Sequence, residues 1–209
     1  MEFRRRARAV SHPSRLGILS GAFNPPTVAH LALAEAALAS TEVDEVVFVL
    51  PRSLPHKDFA GASPGQRLDM LVAACTDPAF SVAETDGGLF VEIAGECRAV
   101  YGDAVRLRFL CGRDAAERIV NWDYGHPAAF ERMLTRFDLL VAARCGEYEP
   151  PPEFRNSIRP LALPADFNDV SGSEIRARIA RGEPWEQFVP AEIRDRVREI
   201  YPVTSPTGG

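Results

Sequence analysis

The residues with the clearest chemical potential lie in one decapeptide near the start of the chain, GAFNPPTVAH at residues 21–30. Thr27 and His30 stand three residues apart, so on a helix they share one face of the first turn. The glycine, asparagine and two prolines before them predict a tight loop. Such a loop would bring a hydroxyl and an imidazole to a helix N-terminus, where exposed N–H groups favour anions. We therefore expect phosphate chemistry here.

A second polar cluster, LPHKD at residues 54–58, contains Lys57, the one lysine of the chain. A compact ammonium on a flexible stem could reach phosphates held at the first helix. The alternative is that this lysine has no function and occurs on a surface loop by chance.

A third cluster, SGSEIR at residues 171–176, begins like a capping box, because Ser171 is followed three residues later by Glu174. Capping explains these two residues but leaves Gly172 and Arg176 unexplained. A glycine lets the backbone approach a ligand closely. The segment therefore also fits a second phosphate site.

The elements that must position these clusters alternate between strand and helix. The pattern predicts strands at 16–19, 45–50, 79–83, 105–111, 137–143 and 161–163, and helices at 28–39, 64–76, 113–120, 128–135, 171–181 and 191–201. The segment at 88–101 is ambiguous and favours a helix over a strand. We expect an α/β fold with a Rossmann-like, doubly wound, mostly parallel sheet and helices on both faces. The C-terminal helices would carry the second phosphate motif. In such sheets ligands bind at the carboxyl ends of the strands.

Composition narrows the function further. The 209 residues predict one domain at 15–201, after a disordered leader at 1–14 and before a tail at 202–209. A net charge of −5 argues against a general nucleic-acid binder, and no apolar run is long enough to cross a membrane. Four cysteines without a CxxC pair fit buried free thiols in the cytoplasm. The oligomeric state stays open, a homo-oligomer included.

The motifs also resemble those of a known family. GAFNPPTVAH resembles the (H/T)xGH motif of the nucleotidyltransferase superfamily, and SGSEIR resembles its C-terminal ISSTxIR motif. PHK, RLDML at residues 67–71 and GRDA at residues 112–115 resemble the nicotinate-nucleotide adenylyltransferase branch. These segments follow the family's order over about residues 16–200, nearly the whole chain.

This resemblance implies transfer of the adenylyl group of ATP to nicotinate or nicotinamide mononucleotide, with Mg²⁺ held mainly by ATP phosphates and water rather than by a protein metal site. By motif position, His30 would donate to the α-phosphate, and Thr27 would hold a phosphate oxygen. Lys57 would contact phosphates, including those of the acceptor, while Ser173 and Arg176 would hold the β- and γ-phosphates. The implied ATP-binding set is Ser20, Gly21, Ala22, Phe23, Asn24, His30, Gly112, Asp114, Ser171, Ser173 and Arg176.

Three of the implied residues keep a structural alternative. Asp114 would meet the ribose or adenine side of ATP, or it would simply cap the following helix. Trp122 would stack on the pyridine ring of the acceptor, or it would pack in the core. Arg144 would bind the acceptor's phosphate, or it would be a solvated charge at a strand end.

The chain departs from the family pattern at three places. Thr27 replaces the usual first histidine, a substitution shared with phosphopantetheine adenylyltransferases, and Ala29 replaces the usual glycine. GGLFV at residues 87–91 stands where the branch has a Ser-Tyr-Thr segment that helps to hold nicotinate. Two alternatives therefore stay open: a transferase that uses another phosphate-monoester acceptor or CTP, and an inactive nucleotide-binding regulator.

Overall fold

The computed structural model describes residues 1–8, 12–52, 61–126, 128–142, 148–163, 167 and 170–203. Within these ranges the strands are Glu2–Arg5 (β1), Arg15–Ser20 (β2), Glu45–Pro51 (β3), Phe80–Thr85 (β4), Arg106–Gly112 (β5), Asp138–Ala142 (β6) and Ile158–Leu161 (β7). The α-helices there are Val28–Ala39 (α1), Pro64–Ala74 (α2), Phe90–Tyr101 (α3), Arg113–Val120 (α4), Ala129–Leu134 (α5), Gly172–Arg181 (α6) and Arg194–Ile200 (α7).

The strands form one sheet in the order β1-β4-β3-β2-β5-β6-β7. All neighbours are parallel except β1, which pairs antiparallel with β4 at the edge. The central strands are buried because helices cover both faces, as a parallel sheet requires. Alternate residues of β3 show this: Val47 and Val49 face one core, while Phe48 and Leu50 face the other. The predicted α/β class is thus confirmed.

A third core joins the C-terminal helices to α2 rather than to the sheet. Met70 of α2 packs there with Ile175 and Ile179 of α6, Val197 of α7 and Tyr201. Local signals fix the helix that carries the second motif. The side chain of Ser171 caps α6 by accepting from the Glu174 amide at 3.1 Å. This packing places the start of α6 beside the loop that follows β2.

The structure corrects three expectations about the ends of the chain. Residues 2–5 were expected in a disordered leader, but they form β1 because Arg4 bonds the Glu84 carboxylate and Arg5 bonds main-chain carbonyls after α2. The last strand lies at Ile158–Leu161, earlier than the predicted 161–163. The final helix starts as a separate 3-10 turn at Ala191–Ile193, and the α-helical part begins at Arg194.

The cysteines within the described ranges behave as the composition suggests. Cys75, Cys97 and Cys111 are free and buried. Burial raises the pKa of each thiol to about 12, so all three stay protonated and unreactive at neutral pH. Cys145 lies outside the described residues.

Candidate functional site

A cleft with a volume of about 400 Å³ lies at the carboxyl ends of β2 and β5. The winding of the sheet reverses here, because the chain runs from β2 to β3 on one side and later crosses from β4 to β5 on the other. Ligands of open α/β sheets bind at such a switch point. The described residues that line the cleft are Leu19, Ser20, Ala29, His30, Leu33, Phe90, Leu110, Cys111, Gly112, Ala115, Arg118, Ile119, Ala142, Leu163 and Phe167.

His30 is held in a defined orientation by Thr27. The Thr27 amide donates to Nδ1 of His30 at 3.0 Å, and the Thr27 hydroxyl lies 2.8 Å from the same nitrogen. Because Nδ1 accepts, the neutral imidazole carries its proton on Nε2 and acts as a donor through that atom. Thr27 itself is fully buried. Its hydroxyl therefore contacts the imidazole instead of lining the cleft, which makes Thr27 a positioning residue.

The loop between β2 and α1 is fixed by side chains from distant elements. Arg67 of α2 is buried and donates to the Ala22 carbonyl at 3.2 Å, and burial lowers the pKa of its guanidinium. The buried side-chain oxygen of Asn24 accepts from the Tyr201 hydroxyl and from the Ala62 amide. Burial raises the pKa of Tyr201 to about 12, so this hydroxyl remains a donor at neutral pH. The loop is therefore preorganised by its surroundings.

Phe23 adds a packing constraint within the same loop. Its φ of 47° is unusual for a bulky residue. The ring is buried between the imidazole of His30, at 5.1 Å between centroids, and Phe48 of β3 at 6.0 Å. Packing on both sides fixes this conformation, and the ring supports His30 from behind.

The second motif packs directly on this loop. Arg176 of α6 donates to the main-chain carbonyl of Asn24 and lies 3.4 Å from the Ser173 hydroxyl. A Cβ added at Gly172 would lie 2.7 Å from the carbonyl oxygen of Asn24. The glycine is therefore required for close approach between two parts of the protein, whereas the sequence suggested approach to a ligand. The two predicted phosphate motifs, 150 residues apart, meet at Asn24.

The remaining predicted residues divide into three groups. Ser20 and Gly112 line the cleft, while Gly21 continues the loop by donating to the Val49 carbonyl. Asp114 lies outside the cleft in the first turn of α4, where Gly112 occupies the cap position, so the alternative of a helix-capping Asp114 is wrong. Trp122 is 60% exposed, so core packing is wrong for it as well. Lys57 and Arg144 lie outside the described residues.

The sequence analysis missed several residues that line the cleft. Phe90 and Ile119 contribute apolar walls, and Arg118 contributes a cation. Arg118 could have been found, because it stands four residues after Asp114 and so shares a helix face with it. Phe90 gave no local signal, since an aromatic residue at a helix start is more often part of the core.

The side chains within the described ranges include no cluster of three His, Cys, Asp or Glu that could hold a metal ion. Likewise, no helix described there is both long enough and apolar enough to cross a membrane. The chemistry that the cleft offers is thus hydrogen-bond donation and positive charge at a preorganised loop, which suits an anionic ligand.

Comparison with known proteins supports the motif interpretation. A family model described as cytidylyltransferase-like matches residues 18–178. A protein of Moorella thermoacetica, named "Probable nicotinate-nucleotide adenylyltransferase", is 31% identical over 90% of this chain and 91% of its own length. A protein of the same name from Bordetella avium is 33% identical over 88% of this chain and 95% of its own.

Solved structures show the same fold. The nicotinic acid mononucleotide adenylyltransferase of Plasmodium falciparum in complex with NaAD superposes with a TM-score of 0.67, at 14% identity, over 88% of this chain and 96% of that chain. A second structure, from Vibrio parahaemolyticus, gives a TM-score of 0.57. The resemblance inferred from the five motifs is confirmed.

Proposed function

The chain belongs to the cytidylyltransferase-like family of nucleotidyltransferases, and we propose that it transfers the adenylyl group of ATP to nicotinate mononucleotide. The products are a nicotinate dinucleotide of NAD biosynthesis and pyrophosphate. The names of its relatives support this acceptor. The observation that carries the proposal is the meeting of the two phosphate motifs at Asn24, beside a cleft into which His30 brings a donor.

In this reaction an oxygen of the acceptor's phosphate attacks the α-phosphorus of ATP, and the bond from that phosphorus to the bridging oxygen of pyrophosphate breaks. Such a displacement needs alignment and charge stabilisation more than covalent help. His30 suits this task because Thr27 fixes its donor nitrogen before the substrate arrives. A donor held in advance stabilises charge that builds up on the α-phosphate oxygens.

The polyphosphate of ATP would meet Arg176 and Ser173 at the start of α6, where helix N–H groups add positive potential. Lys57 would reach the phosphates of either substrate from its loop. The other residues of the implied sets, including Trp122 and Arg144 on the acceptor side, remain assigned by motif position. Mg²⁺ would be held mainly by ATP phosphates and water. When bound, it would neutralise phosphate charge.

The test is pyrophosphate release from ATP and Mg²⁺ with one acceptor at a time: nicotinate mononucleotide, nicotinamide mononucleotide or phosphopantetheine. A parallel series replaces ATP by CTP. Release with ATP and nicotinate mononucleotide, at a kcat/KM well above every other pair, is the expected result. Release only with CTP or phosphopantetheine would assign another transferase activity. ATP binding without pyrophosphate release in any mixture would identify an inactive regulator. The Ala29 methyl at the cleft wall would then be the feature that accounts for the inactivity.

A further inference from the structure

The cleft is mainly apolar, and among its described lining residues a single position carries a permanent charge. Among the described lining residues, Ser20, Cys111, His30 and Arg118 carry polar side-chain atoms, and Arg118 alone carries a permanent positive charge. Arg118 itself is exposed, so it lies where the cleft opens to solvent and an incoming ligand can reach it. The position of this cation therefore bears on which ligand the cleft prefers.

Arg118 is available for a ligand. Its Nε donates to the Asp114 carbonyl of the preceding turn at 3.2 Å, which anchors the planar guanidinium to α4. Its terminal nitrogens form neither a hydrogen bond nor an ion pair within the described ranges of the chain. Glu117, the adjacent carboxylate on α4, is engaged with Arg113 at 2.7 Å. An anchored guanidinium with two open donors matches a carboxylate in bidentate geometry.

The loop between β4 and α3 offers little to a carboxylate. Its sequence is DGGL, without a hydroxyl, and Asp86 is itself negative. The amides of Asp86 and Gly87 donate to the Glu96 carboxylate at 3.1 and 3.2 Å, and the Leu89 amide donates to Glu92 at 3.0 Å. These three amides are already in use, so they are not open to a carboxylate in the cleft.

Phe90, which follows that loop, supplies an aromatic surface to the cleft. Its ring stacks on Phe109 at 4.1 Å with an interplanar angle of 10°, so its position is fixed from within the core. An aromatic ligand ring with an anionic substituent matches this pair of features, because the ring packs on apolar surface while the anion meets the guanidinium.

On the proposed function, we infer that Arg118 is the residue that selects nicotinate mononucleotide over nicotinamide mononucleotide, by pairing with the carboxylate of the pyridine ring. The carboxamide of nicotinamide is neutral, so it gives a weaker bond to the same guanidinium. The two acceptors share ribose and phosphate and differ only at this substituent. Arg118 is thus a specificity-determining residue that leaves the transfer step itself unchanged.

The test compares kcat/KM for the two acceptors in the wild type, Arg118→Gln and Arg118→Lys, with Arg132→Gln as a matched control. Arg132 is exposed on α5 and does not line the cleft. Arg118→Gln should lower kcat/KM for nicotinate mononucleotide by roughly 10- to 100-fold through KM, while the value for nicotinamide mononucleotide changes less than about 2-fold. Arg118→Lys should fall between the wild type and Arg118→Gln, and the control should match the wild type.

Three outcomes would overturn the inference. An equal loss of kcat/KM with both acceptors would mean that Arg118 binds the phosphate that the two share. A rise in KM for ATP alone would mean that Arg118 binds ATP. An unchanged preference for the acid in Arg118→Gln would remove it from recognition while leaving the proposed function intact. If the wild type uses neither acceptor, or prefers the amide, the proposed function and the inference fail together. Thermal melts of all variants confirm that the fold is retained.

Discussion

Arginines at the amino ends of the parallel strands differ from those at the carboxyl ends in their ion pairing. Near the amino ends, Arg108 of β5 is buried and paired with Glu42, and Arg159 of β7 binds the same carboxylate at 3.0 Å. Asp138 completes the cluster between them. Near the carboxyl ends, Arg118 borders the cleft and Arg176 binds a main-chain carbonyl, and neither has an ion-pair partner in the described part of the chain.

The difference is whether carboxylates of the described residues pair with the arginine charges. Burial raises the pKa of Asp138, while the arginines beside it oppose that shift, so the amino-end cluster survives burial only because its charges balance. At the carboxyl end, no carboxylate of the described residues pairs with Arg118 or Arg176, so their charges are open to an anion there. Variants at the carboxyl end should therefore change activity, whereas variants at the amino end should change stability.

The largest effect is expected for His30→Ala. Loss of a donor aimed at developing charge should lower kcat by about 10²- to 10³-fold. His30→Gln, which places an amide N–H near the former Nε2, should lose less. Pyrophosphate release measures the effect, and circular dichroism confirms the fold. Full activity, or an unfolded His30→Ala protein, would contradict the assignment of His30 to the site.

At the amino end, Arg108→Met should destabilise the protein by about 1.5–3 kcal/mol. Glu42 and Asp138 lose their buried partner, but both are partly exposed and keep Arg159. Activity per folded molecule should not change. Arg106→Met on the same strand is the control, because Arg106 is exposed and should shift stability by less than about 0.5 kcal/mol. Urea unfolding gives both values. Equal effects of the two substitutions would mean that the amino-end cluster contributes nothing specific.

Gly172→Ala probes the contact that joins the two phosphate motifs. The new methyl would lie 2.7 Å from the Asn24 carbonyl oxygen, so α6 and the loop must separate, at a cost of about 1–3 kcal/mol. KM for ATP should rise as the loop shifts. Gly95→Ala in α3 is the matched control, since its methyl meets no atom within 4 Å and should stabilise the helix by about 0.5–1 kcal/mol. Unchanged ATP affinity in Gly172→Ala would break the link between this contact and the site.

The smallest effect concerns Asp44, which accepts from Arg15 and from two amides at the start of β2. The Arg15 guanidinium holds the pKa of this carboxyl below its ordinary value of 3.8. Its stabilisation is therefore complete above that value and is lost as pH falls through the folded-state pKa. Asp44→Asn should cost about 1 kcal/mol at neutral pH, and the difference from the wild type should shrink in acid. A pH-independent difference in urea unfolding would contradict this.

The sequence predicted those helix bounds and helix caps that are determined by neighbouring residues. The first helix lies at Val28–Ala39 as expected, and Ser63 caps α2, which opens with Pro64. The strand β1 could not be found, because an arginine-rich tetrapeptide has no apolar run and is stabilised by partners some 75 residues away. The sequence predicted β7 too late in the chain, because Pro160 suggested a loop. An edge strand, however, tolerates proline.

The site residues divide in the same way, into those that local motifs indicate and those whose contacts depend on distant packing. The motifs indicated His30, Gly112 and Arg176. Ligands of an α/β fold bind beside the loops that follow the carboxyl ends of its strands, so motifs in such loops point to the site. The partner that Gly172 approaches could not be predicted, since it depends on how α6 packs on α2. Arg67 was noted only as part of a motif, and its role in holding the Ala22 carbonyl depends on three-dimensional neighbours.

The edge position of β1 has a practical consequence for handling the protein. All six residues of β4 are buried, and β1 pairs with Val82, Ala83 and Glu84 along the outer edge of that strand. A chain shortened to begin after residue 8 would expose that edge beside apolar side chains, which is a template for intermolecular strand pairing. Such a trimmed protein should precipitate on concentration even if its cleft is untouched.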